Sequence, residues 1–368
     1  MLLSFIAASI RSLDLNFLSI LPGHFQYGQV RQFLRDTIEE HFEDGQTFWT
    51  ERLLIERLGI ARGTLRQALD ELAREGVLVR EAKRGSFVRK AALTALGLIF
   101  ERTDSDFGAE MIQHLAAQCI TRGIRLELYP LLTGASIAAL PDEIRHPPSQ
   151  ERLLLMPEGL SNSAHLPALL NARGFHVLSL DDVAGQDVPF VTTDGAKAVR
   201  MALDHLLQLG HSRITFLVNE PFLRPSVGRK IAEFERQLKE RDLPECRIVD
   251  CDTHSGHSFD KAYAAMNAIW EDEARRPTAI FTASDPGAWA ALRWFAERGI
   301  KVPNEVSVLG FEGVKPNAFT HPPLSTVAHD LDALAQRAVD LLWTSEGTLA
   351  SEWVAPRLVL RQSTSPPR

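Results

Sequence analysis

Basic side chains are concentrated in one short part of the sequence, residues 46–90. This segment holds ten lysines and arginines against six acidic residues, which gives it a net charge of +4. Residues 1–45 carry −3 and the rest of the 368-residue chain carries −8, so the positive charge is local. A small basic module on an acidic body is typical of proteins that bind polyanions such as nucleic acid. A solvated helix face gives the same charge balance, so the charge alone leaves both interpretations open.

Polar residues of another kind follow the apolar runs of the later sequence. They include carboxylates and hydroxyls, and examples are Asp104, Asp181-Asp182, Ser284-Asp285 and Glu312. Ligands of open α/β sheets bind beyond the carboxyl ends of the strands, so we expect some of these side chains to face a ligand. Carboxylates and guanidinium groups between apolar walls suit a polyol or a sugar, whose hydroxyls need both donors and acceptors.

The sequence contains no pattern of a catalytic or metal centre. It lacks a GxSxG nucleophile elbow, a Walker phosphate loop and an HExxH zinc motif. His254 and His257 have a spacing that suits a metal ion, but no third ligand lies nearby in the sequence, so two exposed loop histidines are the expectation. Cys119, Cys246 and Cys251 form no CxxC pair and predict neither a disulfide framework nor a zinc site. We therefore predict no enzyme activity, no cofactor and no metal.

Two short helices joined by a tight turn are predicted within the basic segment. Residues 50–58 place leucines on one helical face, with Thr50 as the N-cap and Gly59 as the stop. After a three-residue turn, residues 62–75 place apolar side chains at helical spacing. This is helix-turn-helix spacing. Residues 77–88 then alternate as two short strands around a basic turn, which predicts a hairpin.

The stretch GQTFWTERLLIERLGIARGTLRQALDELAREGVLVREAKRGSFV, residues 45–88, resembles the winged-helix DNA-binding domain of the GntR family of bacterial transcription regulators. The resemblance implies that both helices and the wing contact duplex DNA. An arginine fork matches guanine O6 and N7 in the major groove, and amides at a helix start bind phosphate. By position, the implied DNA-binding residues are Arg52, Arg62, Gly63, Thr64, Arg66, Lys83, Arg84, Gly85 and Ser86.

Three positions depart from the GntR pattern. Ala61 stands where a hydroxyl residue usually caps the recognition helix, a loss that costs about 1 kcal/mol. Trp49 replaces the usual proline before Thr50-Glu51, and Gly63 replaces a common serine or threonine. We expect fewer phosphate contacts through hydroxyl groups and a lower affinity.

From Leu96 onward, apolar runs alternate with stretches of helical length. The runs lie at residues 96–100, 125–129, 152–156, 176–180, 213–218, 279–282 and 306–311. This alternation predicts an α/β fold with a doubly wound, mainly parallel sheet architecture.

Four stretches within residues 95–365 resemble the effector domain of LacI/GalR regulators and the sugar-type periplasmic binding proteins. They are VTTD at 191–194 with HL at 205–206 and LGH at 209–211; PTAIF at 277–281 with SD at 284–285; VP at 302–303 with VSVLGFE at 306–312; and PLSTV at 323–327 with LVLRQST at 358–364. The resemblance implies a two-lobed, periplasmic-binding-protein-like (type I) α/β sensor with the effector between its lobes, following the N-terminal winged helix-turn-helix domain.

In the LacI/GalR family a basic residue, an Asn-Asp pair and a further acid hold the effector. The matching positions here are Arg229 or Lys230, then Ser284-Asp285, then Glu312. Glu233-Phe234 replaces the family's Gly-aromatic pair, so the sequence leaves open which of the two basic residues points inward. Serine for asparagine and glutamate for aspartate change the hydrogen bonds, so the identity of the ligand does not carry over. The expected effector-binding residues are Asp104, Thr193, Arg229, Lys230, His254, Ser284, Asp285 and Glu312.

The chain divides into three predicted parts: an N-terminal extension (1–24), a winged-helix domain (25–90) and an effector-binding domain (95–365). The junction at residues 89–94 contains no proline or glycine run, which predicts a close tether. Residues 1–21 are apolar but are interrupted by Arg11, Asp14 and Asn16, so we expect neither a signal peptide nor a membrane span. A cytoplasmic location is the expectation.

These features predict a dimeric transcription regulator similar to arabinose-type repressors. It would bind operator duplex DNA with an affinity controlled by a small polar effector, most simply a sugar, and repression is expected rather than activation. Two alternatives stay open: an α/β hydrolase or transferase, and a transport-type binding protein. The missing catalytic sets disfavour the first, and the basic module and absent signal peptide disfavour the second.

Overall fold

The computed structural model describes residues 27–74, 77–81, 84–89, 95–101, 105–131, 152–156, 166–172, 175–183, 187–222, 224–253, 258–344 and 349–368. The predicted N-terminal extension and three predicted site residues, Lys83, Asp104 and His254, lie outside these ranges. Among the helices of the described ranges, none is both long enough and apolar enough to cross a membrane.

Three helices and a hairpin form the described N-terminal part of the chain. They are α1 (Tyr27–His41), α2 (Glu51–Leu58), α3 (Arg62–Arg74), β1 (Leu78–Glu81) and β2 (Gly85–Val88). Thr50 Oγ1 accepts a hydrogen bond from Leu53 N at 3.3 Å, and Gly59 ends α2 with φ 63°. The two strands pair antiparallel. The predicted helix-turn-helix with its hairpin is confirmed.

Trp49, which departs from the GntR pattern, belongs to the core of this module. It is buried, and its ring centroid lies 4.9 Å from that of Phe42 and 5.5 Å from that of Phe48. The same core contains the buried face of α3, including Leu65 and Leu72. Where the GntR family usually has proline, the indole therefore supplies apolar packing that fixes the start of α2.

A first lobe is built on a four-stranded parallel sheet. Its elements are β3 (Ala95–Glu101), α4 (Asp106–Thr121), β4 (Arg125–Leu131), β5 (Arg152–Met156), α5 (Leu166–Asn171) and β6 (His176–Ser179), and the late helix α10 (Leu331–Thr344) joins them. The strand order is β4-β3-β5-β6. Helices α4 and α10 cover one face of the sheet, and α5 covers the other.

The second lobe contains a six-stranded sheet. Its elements are α6 (Gly195–Gln208), β8 (Ile214–Val218), α7 (Pro225–Glu240), β9 (Arg247–Asp250), α8 (Ser258–Glu271), β10 (Ala279–Thr282), α9 (Asp285–Glu297), β11 (Ser307–Glu312), β12 (Ser325–Ala328) and β14 (Arg357–Val359), with 3₁₀ turns at Glu273–Arg275 and Lys315–Ala318. The order is β14-β12-β11-β10-β8-β9, and only the β12–β14 pair among these is antiparallel. Helices cover both faces. The predicted doubly wound α/β architecture is confirmed.

Within the described residues, three segments connect the two lobes. The first runs from β7 (Val191–Thr193) into α6, the second lies between β12 and α10, and the third runs from β13 (Glu352–Val354) to β14. Strands β7 and β13 pair parallel to each other. The second connection consists of His329 and Asp330, so a titratable side chain stands where the lobes meet.

Candidate functional site

Helix α3 presents an exposed polar face at its N-terminal end. Arg62, Gly63 and Arg66 are exposed and Thr64 is half-buried, whereas Leu65 is fully buried. This division follows the helical spacing of the apolar residues, which pack against α1 and α2. The face that the sequence assigned to DNA is therefore free of the module's own core. Arg52 on α2 is exposed as well.

Three arginines from two elements, α3 and β1, lie around the carboxylate of Glu51. Arg66 Nε donates to Oε2 at 3.1 Å, and Arg80 Nη2 of β1 donates to Oε1 at 2.6 Å. Arg62 Nε lies 4.0 Å from Oε2, and Arg80 also pairs with Asp70. Burial alone would raise the pKa of Glu51, but the arginines outweigh it and hold that pKa below its usual value. The carboxylate thus fixes the arginine side chains in one array.

The wing is the turn between β1 and β2. Gly85 has φ 108°, a conformation that glycine adopts at low cost. Arg84 Nη1 donates to Glu81 Oε2 at 2.5 Å, and its guanidinium lies 5.6 Å from the ring centre of Phe87. Ser86 is half-buried in β2. Two neighbours in the predicted set, Arg84 and Gly85, are exposed at this turn.

A cleft that is partly open to solvent lies between the two lobes. It is lined by Phe107, Met156, Leu180, Asp181, Thr192, Thr193, Gly195, Glu220, Arg224, Ser226, Val227, Arg229, Lys230, Ala283, Phe311, Glu312 and His329. Most of these residues follow strands at their carboxyl ends, as the parallel sheets require. Four of the predicted effector residues line it: Thr193, Arg229, Lys230 and Glu312.

Lys230 is buried in the cleft wall on α7. Its Nζ donates to the Ala283 carbonyl at 2.9 Å and lies 4.2 Å from the ring centre of Phe311. Burial lowers the pKa of Lys230, although the carboxylates of Glu220, Glu312 and Asp181 oppose the shift. The Lys230 ammonium is thus a hydrogen-bond donor in the cleft, with carboxylates nearby.

Arg229, the other candidate for the basic position, links the two lobes. Its Nη2 donates to Asp182 Oδ1 at 3.0 Å and its Nη1 to Asp182 Oδ2, while the guanidinium lies 4.7 Å from the ring centre of Trp353. Lys230 is therefore the more enclosed of the two, and Arg229 is partly engaged at the lobe junction. Arg224 pairs with Glu220 at 2.8 Å on the second-lobe side.

Asp181 and Thr192 extend the polar lining on the first-lobe side. Thr192 Oγ1 donates to Asp181 Oδ1 at 3.2 Å, and the backbone N of Asp182 donates to the same oxygen at 2.9 Å. Burial raises the pKa of Asp181, and a hydrogen bond from Ser226 opposes the shift. The two residues therefore offer a ligand both an acceptor and a hydroxyl.

His329 lines the cleft, and its imidazole ring lies between two aromatic rings. Its ring centroid lies 4.8 Å from that of Phe107 and 4.9 Å from that of Phe311, and its Nδ1 lies 2.6 Å from Thr193 Oγ1. Burial, with the nearby Lys230 ammonium, lowers the pKa of His329 to about 3. The ring is therefore neutral at physiological pH and acts as a hydrogen-bonding group rather than as a cation.

Ser284 and Asp285 are not in the cleft, contrary to the expectation from the sequence. Both are buried; Ser284 Oγ accepts a hydrogen bond from Asn219 Nδ2 at 2.6 Å, and Ser284 N donates to Asn219 Oδ1 at 3.1 Å. Asp285 accepts from Gly313 N at 2.7 Å and from Thr326 Oγ1 at 2.8 Å. Their polar groups are used inside the second lobe, because α9 begins at this point and turns the pair away from the cleft.

Four charged or titratable cleft residues were not in the predicted site: Asp181, Glu220, Arg224 and His329. Asp181 was visible as an acid after an apolar run, and Glu220 follows the run that became β8. No local signal marks Arg224 or His329, because their place depends on where α7 and the second lobe connection meet the sheet ends.

The charged groups that line the cleft balance one another. Three carboxylates, Asp181, Glu220 and Glu312, stand with the three cations Arg224, Arg229 and Lys230. Phenylalanine rings supply apolar surface beside them. Such a lining offers paired donors and acceptors without a net charge, which suits a neutral molecule with many hydroxyls better than an anion or a cation.

Two stretches of the chain match known protein families. Residues 26–88 match the profile of bacterial regulatory proteins of the gntR family, and residues 203–364 match the periplasmic binding protein-like domain. The HTH-type transcriptional regulator reg1 of Streptomyces lividans is 37% identical over 207 residues, which are 53% of this chain and 58% of reg1. The match thus spans little more than half of that relative's own length.

Solved structures of LacI-family regulators have the same fold. A LacI transcriptional regulator from a Rhodococcus species is 23% identical with a TM-score of 0.64, covering 74% of this chain and 98% of that one. A LacI-family regulator CCPA from Weissella paramesenteroides, with bound glucose, is 18% identical with a TM-score of 0.62, covering 74% and 98%. The chain therefore matches the gntR-family model near its N-terminus and the periplasmic binding protein-like domain in its later part, and it shares the fold of these solved LacI-family structures over about three quarters of its length.

Proposed function

We propose that this chain is a transcription regulator, acting as a repressor, that binds operator duplex DNA and a small neutral sugar. Residues 25–90 would form the DNA-binding domain and residues 95–365 the effector domain, with 1–24 as an extension. The observation that carries the proposal is that one chain contains both the arginine-bearing helix α3 and a polar cleft between two lobes. The similarity to reg1, an HTH-type transcriptional regulator, supports it.

DNA recognition is assigned to α3 and the wing. Arg62 and Arg66 project from the N-terminal half of α3, where a guanidinium fork reaches guanine O6 and N7 in the major groove. Gly63 lets the backbone approach a phosphate closely. The remaining proposed contacts, from α2, α3 and the wing, are those of Arg52, Thr64, Lys83, Arg84, Gly85 and Ser86.

The effector is assigned to the cleft. Lys230, Glu312 and Thr193 there offer a cation, a carboxylate and a hydroxyl, and the aromatic rings pack against C–H faces of a sugar. The balanced charges disfavour a phosphorylated or acidic effector, because a net charge would lack a partner. The glucose bound to the Weissella regulator supports a sugar of this class.

Control of DNA binding requires two conformations with different effector affinities. Effector held between the lobes favours a closed sensor, and closure changes the spacing of two DNA-binding domains in a dimer. Linkage is reciprocal: an effector that weakens operator binding by some factor binds the operator complex more weakly by the same factor, typically about 1–3 kcal/mol of coupling.

A homodimer is the proposed assembly, since helix-turn-helix regulators reach useful affinity by binding two half-sites about one helical turn apart. On α4, Met111, Leu115 and Cys119 pack inside the first lobe and are not available for a dimer contact. Among the large apolar side chains of the described residues, the two most exposed are Phe319, at 88%, and Ile120 at the end of α4, at 77%. We assign dimer contacts to these two side chains, and a double Ile120→Ser, Phe319→Ser variant should sediment as a monomer.

We also propose that the protein acts in the cytoplasm, without a membrane partner and without catalytic turnover. The relatives are named as regulators rather than enzymes, which supports binding without chemistry. A transport-type binding protein would need no DNA-binding domain, and here a gntR-family domain precedes the sensor.

Two measurements on the full chain test the proposed function. Selection from a random duplex library should enrich one palindromic sequence, and a thermal-shift screen with glucose, ribose, sucrose, polyols and nucleosides should show stabilisation by one sugar class without turnover. An Arg57→Ala variant, which alters an exposed arginine of α2 outside the assigned set, should select the same sequence. Failure to enrich any duplex would refute the regulator, and a ligand consumed during the assay would point to an enzyme.

A further inference from the structure

We propose that Asp285 is a positioning residue: it holds Glu312 in the wall of the cleft and ties the cleft to residues 313–319, through which effector binding reaches the protein surface. The inference rests on the proposed function, because it takes the cleft as an effector site. It replaces the expectation from the sequence that Asp285 contacts the effector itself.

Both carboxylate oxygens of Asp285 are occupied inside the second lobe. Oδ2 accepts hydrogen bonds from Gly313 N at 2.7 Å, Val314 N at 3.2 Å and Asn317 Nδ2 at 2.6 Å. Oδ1 accepts one from Thr326 Oγ1 at 2.8 Å. Three of these four donors belong to the segment that directly follows β11, so the carboxylate acts on the backbone that leaves the cleft.

The backbone of Glu312 needs this support. Its φ of 119° lies in a region that residues with a side chain rarely adopt, and such a conformation persists only where the surroundings hold it. The Glu312 carbonyl accepts a hydrogen bond from His329 N at 3.0 Å, while the next amide, Gly313 N, is held by Asp285. Glu312 lines the cleft, so the place of its carboxylate depends on a backbone fixed from both sides.

The space around the Asp285 carboxylate leaves little room for adjustment. A Cβ at Gly310 would lie 2.2 Å from Asp285 Oδ1, and a Cβ at Gly313 would lie 2.2 Å from the Ala328 Cβ. Packed groups of this kind shift together rather than one at a time. A movement of Glu312 toward a ligand therefore has to move residues 313–315 as well.

The segment 313–319 connects the cleft with two other parts of the molecule. Lys315 N donates to Glu110 Oε1 of the first lobe at 2.7 Å, and Lys315 Nζ lies 3.3 Å from Gln113 Oε1. Asn317 Oδ1 accepts from Trp289 Nε1 at 2.7 Å, and Phe319 two residues later is almost fully exposed. One short segment thus joins the cleft, the contact between the lobes and the proposed dimer contact.

Four variants of the full chain separate positioning from direct binding. Asp285→Ala removes both acceptors. Asp285→Asn keeps one acceptor, because its carbonyl oxygen replaces Oδ2, while its NH₂ replaces Oδ1 and donates to Thr326 Oγ1. Gly310→Ala displaces the carboxylate without changing it, which keeps the test valid if Asp285→Ala does not fold. Thr326→Val is the matched control, because it removes the donor to Oδ1 and leaves the three donors to Oδ2 in place.

The first readout is hydrogen exchange of the amides of residues 313–315 without ligand. Exchange should be at least about tenfold faster in Asp285→Ala and Gly310→Ala, and close to wild type in Asp285→Asn and Thr326→Val. The second is calorimetry with glucose, in which affinity should fall at least about tenfold in the first pair and stay within about threefold in the second.

The outcomes distinguish this inference from the proposed function. Unchanged exchange in both Asp285→Ala and Gly310→Ala overturns it whatever the ligand. Loss of glucose binding in Asp285→Asn with normal amide protection also overturns it, because the charge would then act on the ligand directly. If wild type binds no sugar, the proposed effector fails, while the exchange data still decide whether Asp285 holds the segment.

Discussion

The winged-helix module and the cleft both depend on arginines, lysines and carboxylates, but they hold them in opposite ways. In the module, Arg62 and Arg66 are exposed and share the carboxylate of Glu51. In the cleft, Lys230 and Asp181 have pKa values shifted by burial. Exposed charges contribute to binding a partner with little effect on the fold, whereas removing one buried charge leaves its partners uncompensated and so affects both the fold and ligand binding.

The two regions should therefore respond differently to the same kind of substitution. A truncated arginine on α3 removes a contact to DNA and leaves the module's core intact. A truncated lysine in the cleft leaves acidic neighbours without their partner, so both effector binding and stability change.

The largest effect should come from an Arg62→Ala, Arg66→Ala double variant. Each arginine that reads a base contributes about 1–3 kcal/mol, so together they should reduce operator affinity by about two orders of magnitude or more. Melting temperature and sugar binding should stay at wild-type values. Fluorescence anisotropy with the selected duplex measures the loss, with Arg57→Ala as the control. Operator affinity that survives in the double variant would show that α3 is not the reading helix.

The next largest effect is expected for Lys230→Met, which keeps the length of the side chain and removes the charge. Glu220, Glu312 and Asp181 lose a shared cation, so sugar affinity should fall about tenfold or more. Stability should change as well, while operator affinity without effector stays within about twofold. Sugar affinity is measured by calorimetry with glucose, and operator affinity by fluorescence anisotropy, on the same preparation of the variant. Normal sugar binding by this variant would mean that Arg229 carries the basic role instead.

The difference between the winged-helix module and the cleft also determines which of their features could be predicted from the sequence. The DNA-binding face follows from local helical spacing, because Leu65 and Leu72 bury one side of α3 and leave Arg62 and Arg66 on the other. Each of the seven apolar runs likewise forms a strand, because a parallel strand that is buried on both faces is a nearly continuous run of apolar residues. The short strands β9, β13 and β14 have no such signal and depend on their neighbours.

The cleft was predictable only in part, because distant segments compose it. Glu312 ends a strand and lines the cleft as expected, but Asp285 also follows a strand and is buried behind it. The difference is one of direction: α9 starts at Asp285, so its carboxylate turns to the segment after β11 rather than to the ligand. His329 entered the site through a connection between lobes, which no periodicity marks.

A smaller effect is expected for Glu51→Gln in the winged-helix module. The amide keeps the shape but loses the charge that fixes Arg66 and Arg80, so we expect operator affinity to change about two- to tenfold. The melting temperature should hardly move, because the pairs are largely exposed. Anisotropy at two salt concentrations checks this, with Glu56→Gln as an exposed control on the same helix. A large loss of stability would place Glu51 in the fold rather than in the DNA-binding array.

The smallest effect concerns the pH dependence of stability, which we expect in the effector domain. Burial raises the pKa of Asp285 to about 6 from an ordinary 3.8, against the hydrogen bonds that it accepts. The folded state then binds the proton more tightly, so this contribution to stability is present below pH 3.8 and lost as pH rises through about 6. His329 has the opposite sign: its pKa is lowered to about 3, so its contribution is present above pH 6.5 and lost as pH falls.

Because the two contributions oppose each other between pH 4 and 6, wild type alone does not separate them, and the comparison with Asp285→Asn does. The asparagine carries no titrating proton but keeps the hydrogen bonds, and His329 is common to both proteins. From pH 7 to pH 5, wild type should gain about 1 kcal/mol of unfolding free energy relative to the variant, measured by urea denaturation. Operator affinity of wild type and variant, in contrast, should follow the same pH curve, since Asp285 begins α9 in the second lobe and lies outside the winged-helix module. Parallel stability curves for the two proteins would show that Asp285 is ionised in both the folded and the unfolded chain, and that the buried carboxylate is balanced by its donors alone.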